Sequence, residues 1–309
     1  MAERKPSPLL AIVLVVIVVA AGGAGAAFLY LENHRGPGAG LLTVAVGDNV
    51  TVNYIGLFAD GPQQGRVFDT SLYSIALNNV SWPKSLQYES RGGSPSDYTP
   101  LGVYVGPNAP SSGYTIGNLT FGGVVTGFWQ GLVGLPGNRT TYISVPAPLG
   151  YPTVNASCYV TQPLVTTYPV VVSLTPAQFR SLFPNVTLVA GAVYTDPVYD
   201  WSDQVLSVNA TSVTYENLPT VGAISNPSGW PVLVTNISST TITLTSQLGP
   251  SQAGLVLGHA SGSGYCGSTS FVISSVNLAN GTYVEDYNSQ VAGRNLIFVV
   301  TVLDILRPT

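Results

Sequence analysis

Side chains able to do chemistry are scarce in these 309 residues, and the ones that recur together are aromatic. Charged residues make up 8% of the chain, against about 25% in an ordinary soluble domain. Two cysteines, Cys158 and Cys266, and two distant histidines, His34 and His259, are too few for a zinc site. There is no HExxH motif, glycine-rich phosphate loop or basic patch, and a net charge of −4 speaks against nucleic acid as a partner. No cofactor and no metal are therefore expected. Aromatic and apolar side chains in short strand-like or turn stretches include Tyr54 in VNYIG, Phe68 and Asp69 in VFDTS, Val124, Val125 and Phe128 in VVTGFWQG, Tyr151 in LGY, and Phe298 in NLIFVV; residue type alone does not set them apart from the other aromatic residues. Grouped together, such rings would make a dry pocket, which favours a less polar state of a bound group relative to water. Asp69 is the telling member, because an acid beside an aromatic strand residue needs a buried partner or solvent. Plainer readings stand beside these. The phenylalanines suit the core of any small barrel, the two tyrosines are among 17, and Asp69 before Thr70-Ser71 could open a turn.

Three segments in order, VNYIGLFADGPQQGRVFDTS at 52–71, VVTGFWQGLVGLPGNRTTYISVPAPLGY at 124–151 and AGRNLIFVVTVLDI at 292–305, resemble FKBP-type peptidyl-prolyl cis-trans isomerases. The AGRNLIF return after a long foreign stretch is similar to the SlyD-type subfamily, where an insert-in-flap domain follows the tyrosine motif. The likeness covers about 125 residues, 46–151 and 291–309. It implies an enzyme that rotates X-Pro bonds in unfolded or extended polypeptides. It implies that Phe68, Phe128, Phe298 and Val125 build the pocket, with Val124 beside them. Asp69 would bond Tyr54 at the wall, and the Val125 N–H and the Tyr151 hydroxyl would hold the carbonyls of the ligand. Rotation meets a barrier of about 18–20 kcal/mol from amide conjugation, and the twisted amide is less polar than the planar one. Three departures from the family pattern stand out: more than 40 residues rich in Ser, Pro, Gly and Tyr between Ser71 and Tyr114, Trp129-Gln130 where the family has a helix glutamate, and Pro152 after Tyr151.

The elements that must position these residues are mostly strands. Alternation in Val50-Thr51-Val52-Asn53-Tyr54 and Thr141-Tyr142-Ile143-Ser144-Val145 predicts half-buried strands. A helix is expected over Gly127–Leu135, capped by Thr126 and stopped by Pro136-Gly137. The expected fold class is α+β, mainly β: an FKBP-like antiparallel sheet wrapped on one short helix, an inserted β-rich domain and an N-terminal transmembrane helix. Domain borders are expected at 1–8 (cytoplasmic N-terminus), 9–30 (anchor), 31–45 (linker), 46–151 (first part), 152–290 (insert) and 291–309 (last strand). Inside the insert, strands are expected at Thr187–Tyr194, Gln204–Val208, Ser212–Tyr215, Val232–Thr235, Thr240–Leu244 and Ser270–Val276, with a helical turn at Thr175–Phe183. VLSVNATSVTYE and VLVTNISSTTITLT read as two copies of one hairpin.

The run Leu9–Tyr30 carries no charge and is long enough to cross a bilayer core of about 30 Å, which predicts a single-pass protein of the cell membrane with residues 31–309 outside. A cleaved signal peptide is the competing reading. Nine N-x-S/T sequons, at Asn49, Asn79, Asn118, Asn138, Asn155, Asn185, Asn209, Asn236 and Asn280, are glycosylation candidates. In an oxidising exterior, Cys158 and Cys266 are expected to pair, two unpaired buried thiols being the alternative. Scarce charge also suits an acid exterior, since a fold with few ion pairs loses little when carboxylates protonate. The functional expectation is an isomerase and folding chaperone for exported proteins. Its alternatives are a non-catalytic proline-peptide-binding module and a cell-envelope glycoprotein.

Overall fold

The computed structural model describes residues 42–109, 113–117, 119–260 and 264–308. They divide into two compact units, one running to Asn155 and resuming at Ser289, the other spanning Ala156–Asn288. In chain order the first unit holds β1 (Asn49–Phe58), β2 (Val67–Thr70), α1 (Tyr73–Leu77), β3 (Leu101–Tyr104), β4 (Tyr114–Ile116), β5 (Leu119–Gly122), α2 (Thr126–Leu132) and β6 (Thr140–Val145). The second unit follows with β7 (Tyr159–Pro163), β8 (Val165–Pro169), β9 (Val171–Leu174), α3 (Pro176–Leu182), β10 (Val193–Thr195), β11 (Ser202–Val208) and β12 (Val213–Leu218). It continues with β13 (Ile224–Ser225), β14 (Val232–Ile237), β15 (Thr241–Ser246), β16 (Leu257–His259), β17 (Ser270–Asn277) and β18 (Thr282–Asp286), before β19 (Leu296–Leu306) returns to the first unit.

The expected fold class is corrected. Among the described residues the structure is mostly β in several sheets, with 41% strand and 12% helix, and no helix there is long and apolar enough to cross a membrane. The longest have seven residues, or about 10 Å at 1.5 Å per residue, against a hydrocarbon core of about 30 Å. The expected span at 9–30 lies outside the described residues, and the single-pass localisation that rested on it is set aside.

The first unit is built on a seven-stranded sheet in the order β4-β5-β3-β1-β19-β6, with β2 also on β1. It is mixed rather than antiparallel, because β3 and β5 run parallel. The β4–β5 hairpin places β4 outermost, so β5 returns beside β3 in the same direction. β3 pairs with the first half of β1 and β2 with the second. Half-burial of β1 is also corrected. Val50, Val52, Tyr54 and Phe58 join one core with Phe128 and Leu132 of α2, while Ile55 and Leu57 join another with Val67, Ile75 and Trp82. Residues 72–88 supply the cover of that second face. The helix is shorter than the sequence pattern predicts. Val125 is its N-cap, without a side-chain capping bond, and after Leu132 the chain turns so that the Gly134 N–H donates to the Val44 carbonyl at 2.8 Å. α2 lies close on β6, since a Cβ on Gly131 would sit 2.2 Å from Cγ2 of Ile143.

The second unit holds three four-stranded antiparallel sheets of one pattern: β10-β11-β12-β9, β13-β14-β15-β8 and β16-β17-β18-β7. Each has a long hairpin with a bulge at the equivalent place, between Val205 and Ser207, Val234 and Asn236, and Ile273 and Ser275. The repeated hairpin therefore occurs three times, not twice. The third copy shares the strand register but few residue identities, so the sequence hides it. Expected strand Thr187–Tyr194 shrinks to β10, because Gly191 turns with φ 87 before it. Thr175 and Gln178 form a capping box at the start of α3, whose Phe179 and Phe183 pack with Val205, Val213 and Tyr215. Cys158 and Cys266 are disulfide-bonded with Cα atoms 5.7 Å apart.

Candidate functional site

Register brings the sequence-derived residues together. On β1, Tyr54 pairs with Val300 and Gly56 with Phe298 of β19, and Gly56 also faces Asp69 of β2. Side chains two residues apart share a face, so Tyr54 and Phe298 point to the same side as α2. A Cβ on Gly56 would lie 2.5 Å from the Phe68 ring; glycine there lets the ring lie across the strand. Phe68, Phe128 and Phe298 then meet edge to face. Ring centres are 5.6 Å apart for Phe68–Phe298 and 4.8 Å for Phe128–Phe298, at 87° and 82°. Tyr54 joins at 6.3 Å from Phe128 and 6.2 Å from Phe298. Edge-to-face pairs of this kind add about 0.5–1.5 kcal/mol each beyond burial. Val124, Val125 and Tyr151 pack against this cluster and stay partly exposed.

The acid has the buried partner that its position required. The Tyr54 hydroxyl donates to Oδ2 of Asp69, and the Asp69 Oδ1 accepts the Thr70 N–H at 2.8 Å. Arg91 completes the network. Its Nη2 donates to both Asp69 oxygens at 3.0 Å, its Nε donates to Oδ1 at 3.2 Å, and Nη2 also donates to the Tyr54 hydroxyl. Burial first, then the Asp69 charge, pushes the Tyr54 hydroxyl pKa up. The same two causes raise Tyr151. Both phenols therefore stay protonated donors through neutral pH.

Two donors belong to residues packed against this cluster. The Val125 carbonyl accepts Phe128 N–H at 2.9 Å as the helix begins, but the Val125 N–H and the Tyr151 hydroxyl have no hydrogen-bond partner among the described residues.

Sequence reasoning missed two members. Phe58 lies 5.4 Å from Phe68 and was legible as the fourth residue after Tyr54 on the same strand face. Arg91 carried no local signal: it sits in the Ser- and Gly-rich segment 20 residues beyond Ser71, and only folding shows what it reaches. Of the sequons, Asn49 is corrected. It is buried at 4% exposure and its Oδ1 accepts the Tyr114 hydroxyl. Asn118 lies outside the described residues, and the other seven are exposed. No group of three or more potential metal ligands occurs among the described residues. The second unit holds its own cavity of about 280 Å³, walled by Tyr199, Trp201, Leu218, Pro219 and Ile224, and none of the sequence-derived residues lines it. No protein-family model matches the chain, and comparison with curated proteins found no match.

Proposed function

We propose that the chain is a peptidyl-prolyl cis-trans isomerase acting on proline-containing unfolded or extended polypeptides. The observation that carries this reading is the edge-to-face cluster of Phe68, Phe128 and Phe298, closed on one side by the Tyr54–Asp69–Arg91 network, with two donors on residues packed against it. A proline ring would rest on the aromatic floor. The Val125 N–H and Tyr151 hydroxyl would hold the carbonyls on either side, fixing one end of the bond while the other turns. Catalysis needs no nucleophile in this scheme, because the twisted amide, less polar than the planar one, is favoured by a dry site. Asp69 adjusts the field through Tyr54 and takes no proton. The three repeated sheets of the second unit offer short edge strands to an extended client, and that supports a holding role for the insert.

The test is a protease-coupled isomerisation assay on short X-Pro peptides beside refolding of a proline-limited protein. Phe128→Ala should abolish turnover, but it also removes a buried ring at a cost of about 3–5 kcal/mol. Tyr151→Phe separates the two effects: it leaves packing intact and removes one hydrogen bond worth about 0.5–1.5 kcal/mol, a two- to tenfold loss in kcat/KM. Absence of turnover in the folded wild-type chain, with proline-peptide binding retained, would make the site a binding module instead.

A further inference from the structure

The three sheets of the second unit can be aligned pair by pair. Val193 pairs with Gln204, Ile224 with Leu233 and Leu257 with Val272. The next pairs are Tyr194 with Asp203, Ser225 with Val232 and Gly258 with Phe271. Asp203 thus occupies a core position that the other two sheets fill with Val232 and Phe271. All three are buried, at 0%, 6% and 1% exposure. The fold does not ask for an acid there, and a buried carboxylate without a partner is unfavourable. Neither oxygen of Asp203 makes a hydrogen bond of ordinary geometry among the described residues, nor does the hydroxyl of Tyr194 across from it; the side chains of Trp201 and Asp196 are the polar neighbours of Asp203.

A second acid lies along the same ladder. Asp196 is buried at 4%, its N–H donates to the Trp201 carbonyl at 2.8 Å, and its Oδ1 accepts the N–H groups of Val198 and Tyr199. The other titratable groups around Asp203 are phenols: Tyr168 on β8, Tyr194 on β10 and Tyr215 on β12, each raised first by burial. Charged side chains on the neighbouring elements lie elsewhere. Arg180 of α3 and Asp200 are exposed, and Glu216 alternates with Tyr215 and Asn217 onto the other face of β12. No cation among the described residues offsets an ionised Asp203.

We propose that the Asp203–Asp196 carboxyl pair is a pH-responsive lock in the insert: protonated Asp203 keeps the β10–β11–β12–β9 sheet closed, and its ionisation loosens that sheet. Burial first, then the Asp196 charge, raises Asp203 from its ordinary 3.8 to about 7. The sign follows from proton binding. Between about pH 4 and 7 the closed sheet holds a proton that the opened chain releases, so stability is full below that window and falls as pH rises through it. Local opening should become easier by up to about tenfold per pH unit there and level off above. The lock therefore favours acid, as does a surface with few ion pairs to lose. This holds whether or not the first unit is an isomerase.

Hydrogen exchange of the full chain from pH 4 to 8, corrected for intrinsic rates, tests it together with the carboxyl ¹³C titration of Asp203 in the wild type. Protection of 192–208 should fall about 100-fold or more between pH 4.5 and 7.5, while 232–246 of the second sheet stays level. Asp203→Asn, and Asp203→Val after the second sheet's own residue, should flatten the first profile. An Asp203 carboxyl titrating below pH 5 would overturn the lock, as would either variant keeping the wild-type pH dependence. Should a variant not fold, the wild-type titration decides alone.

Discussion

Gly131 decides whether the helix beneath the aromatic cluster keeps its place. It sits inside α2, where replacing glycine by alanine ordinarily stabilises by about 1 kcal/mol through backbone entropy. Here the added Cβ would stand 2.2 Å from Cγ2 and 3.2 Å from Cβ and Cγ1 of Ile143. Ile143 is 3% exposed and β-branched, so its methyl cannot swing aside as the end of a long side chain would. Overpacking of this kind costs about 1–3 kcal/mol, which outweighs the helix gain and leaves Gly131→Ala net destabilising by up to about 2 kcal/mol. At this size each kcal/mol lowers the midpoint by about 2–4 °C. Ile143→Ala removes the offending methyl. On that background the same substitution should turn neutral or stabilising, a coupling of at least about 1 kcal/mol in a double-mutant cycle. Hydrogen exchange of residues 126–133 reads the helix directly, and calorimetry gives the whole. The reasoning fails if Gly131→Ala stabilises the wild type, or if the two substitutions are additive.

Two further outcomes follow from the site and the insert. Arg91→Ala frees Asp69 and the Tyr54 hydroxyl; because the ion pair is about one-third exposed, its loss should cost under about 1 kcal/mol of stability while lowering kcat/KM, and Arg91→Lys should restore only part, since an ammonium lacks the rigid fork by which Nε and Nη2 reach Asp69 and the Tyr54 hydroxyl together. Equal kcat/KM in all three proteins would remove Arg91 from the site. Replacing Cys158 and Cys266 by serine opens a loop of sequence separation 108, which the chain-entropy relation puts at about 4–5 kcal/mol; exchange should rise across 156–288 and not across 49–58, and an unchanged second unit would count against that value.

Local chemistry in the sequence was enough for the individual elements. Alternation marked β1, β6 and the hairpins of the insert, Thr175-Pro176 marked α3, and Tyr54, Phe68, Phe128 and Phe298 were picked out by the resemblance of their short motifs to a known family. These signals lie within a few residues of one another, where strand and helix periods act directly. What tertiary structure alone decided lies across the chain. Ile55 and Leu57 are buried because the sheet has a second cover, and beyond α2 the chain turns away where the Gly134 N–H bonds the Val44 carbonyl. Arg91 meets Asp69 across 22 residues, and Asn49 is closed off by Tyr114, 65 residues away. The third repeat shows itself through register rather than identity, because a backbone ladder can be kept while side chains change. That same register turned Asp203, one acid among 14 acidic residues, into a carboxyl standing where its sister sheets place Val232 and Phe271.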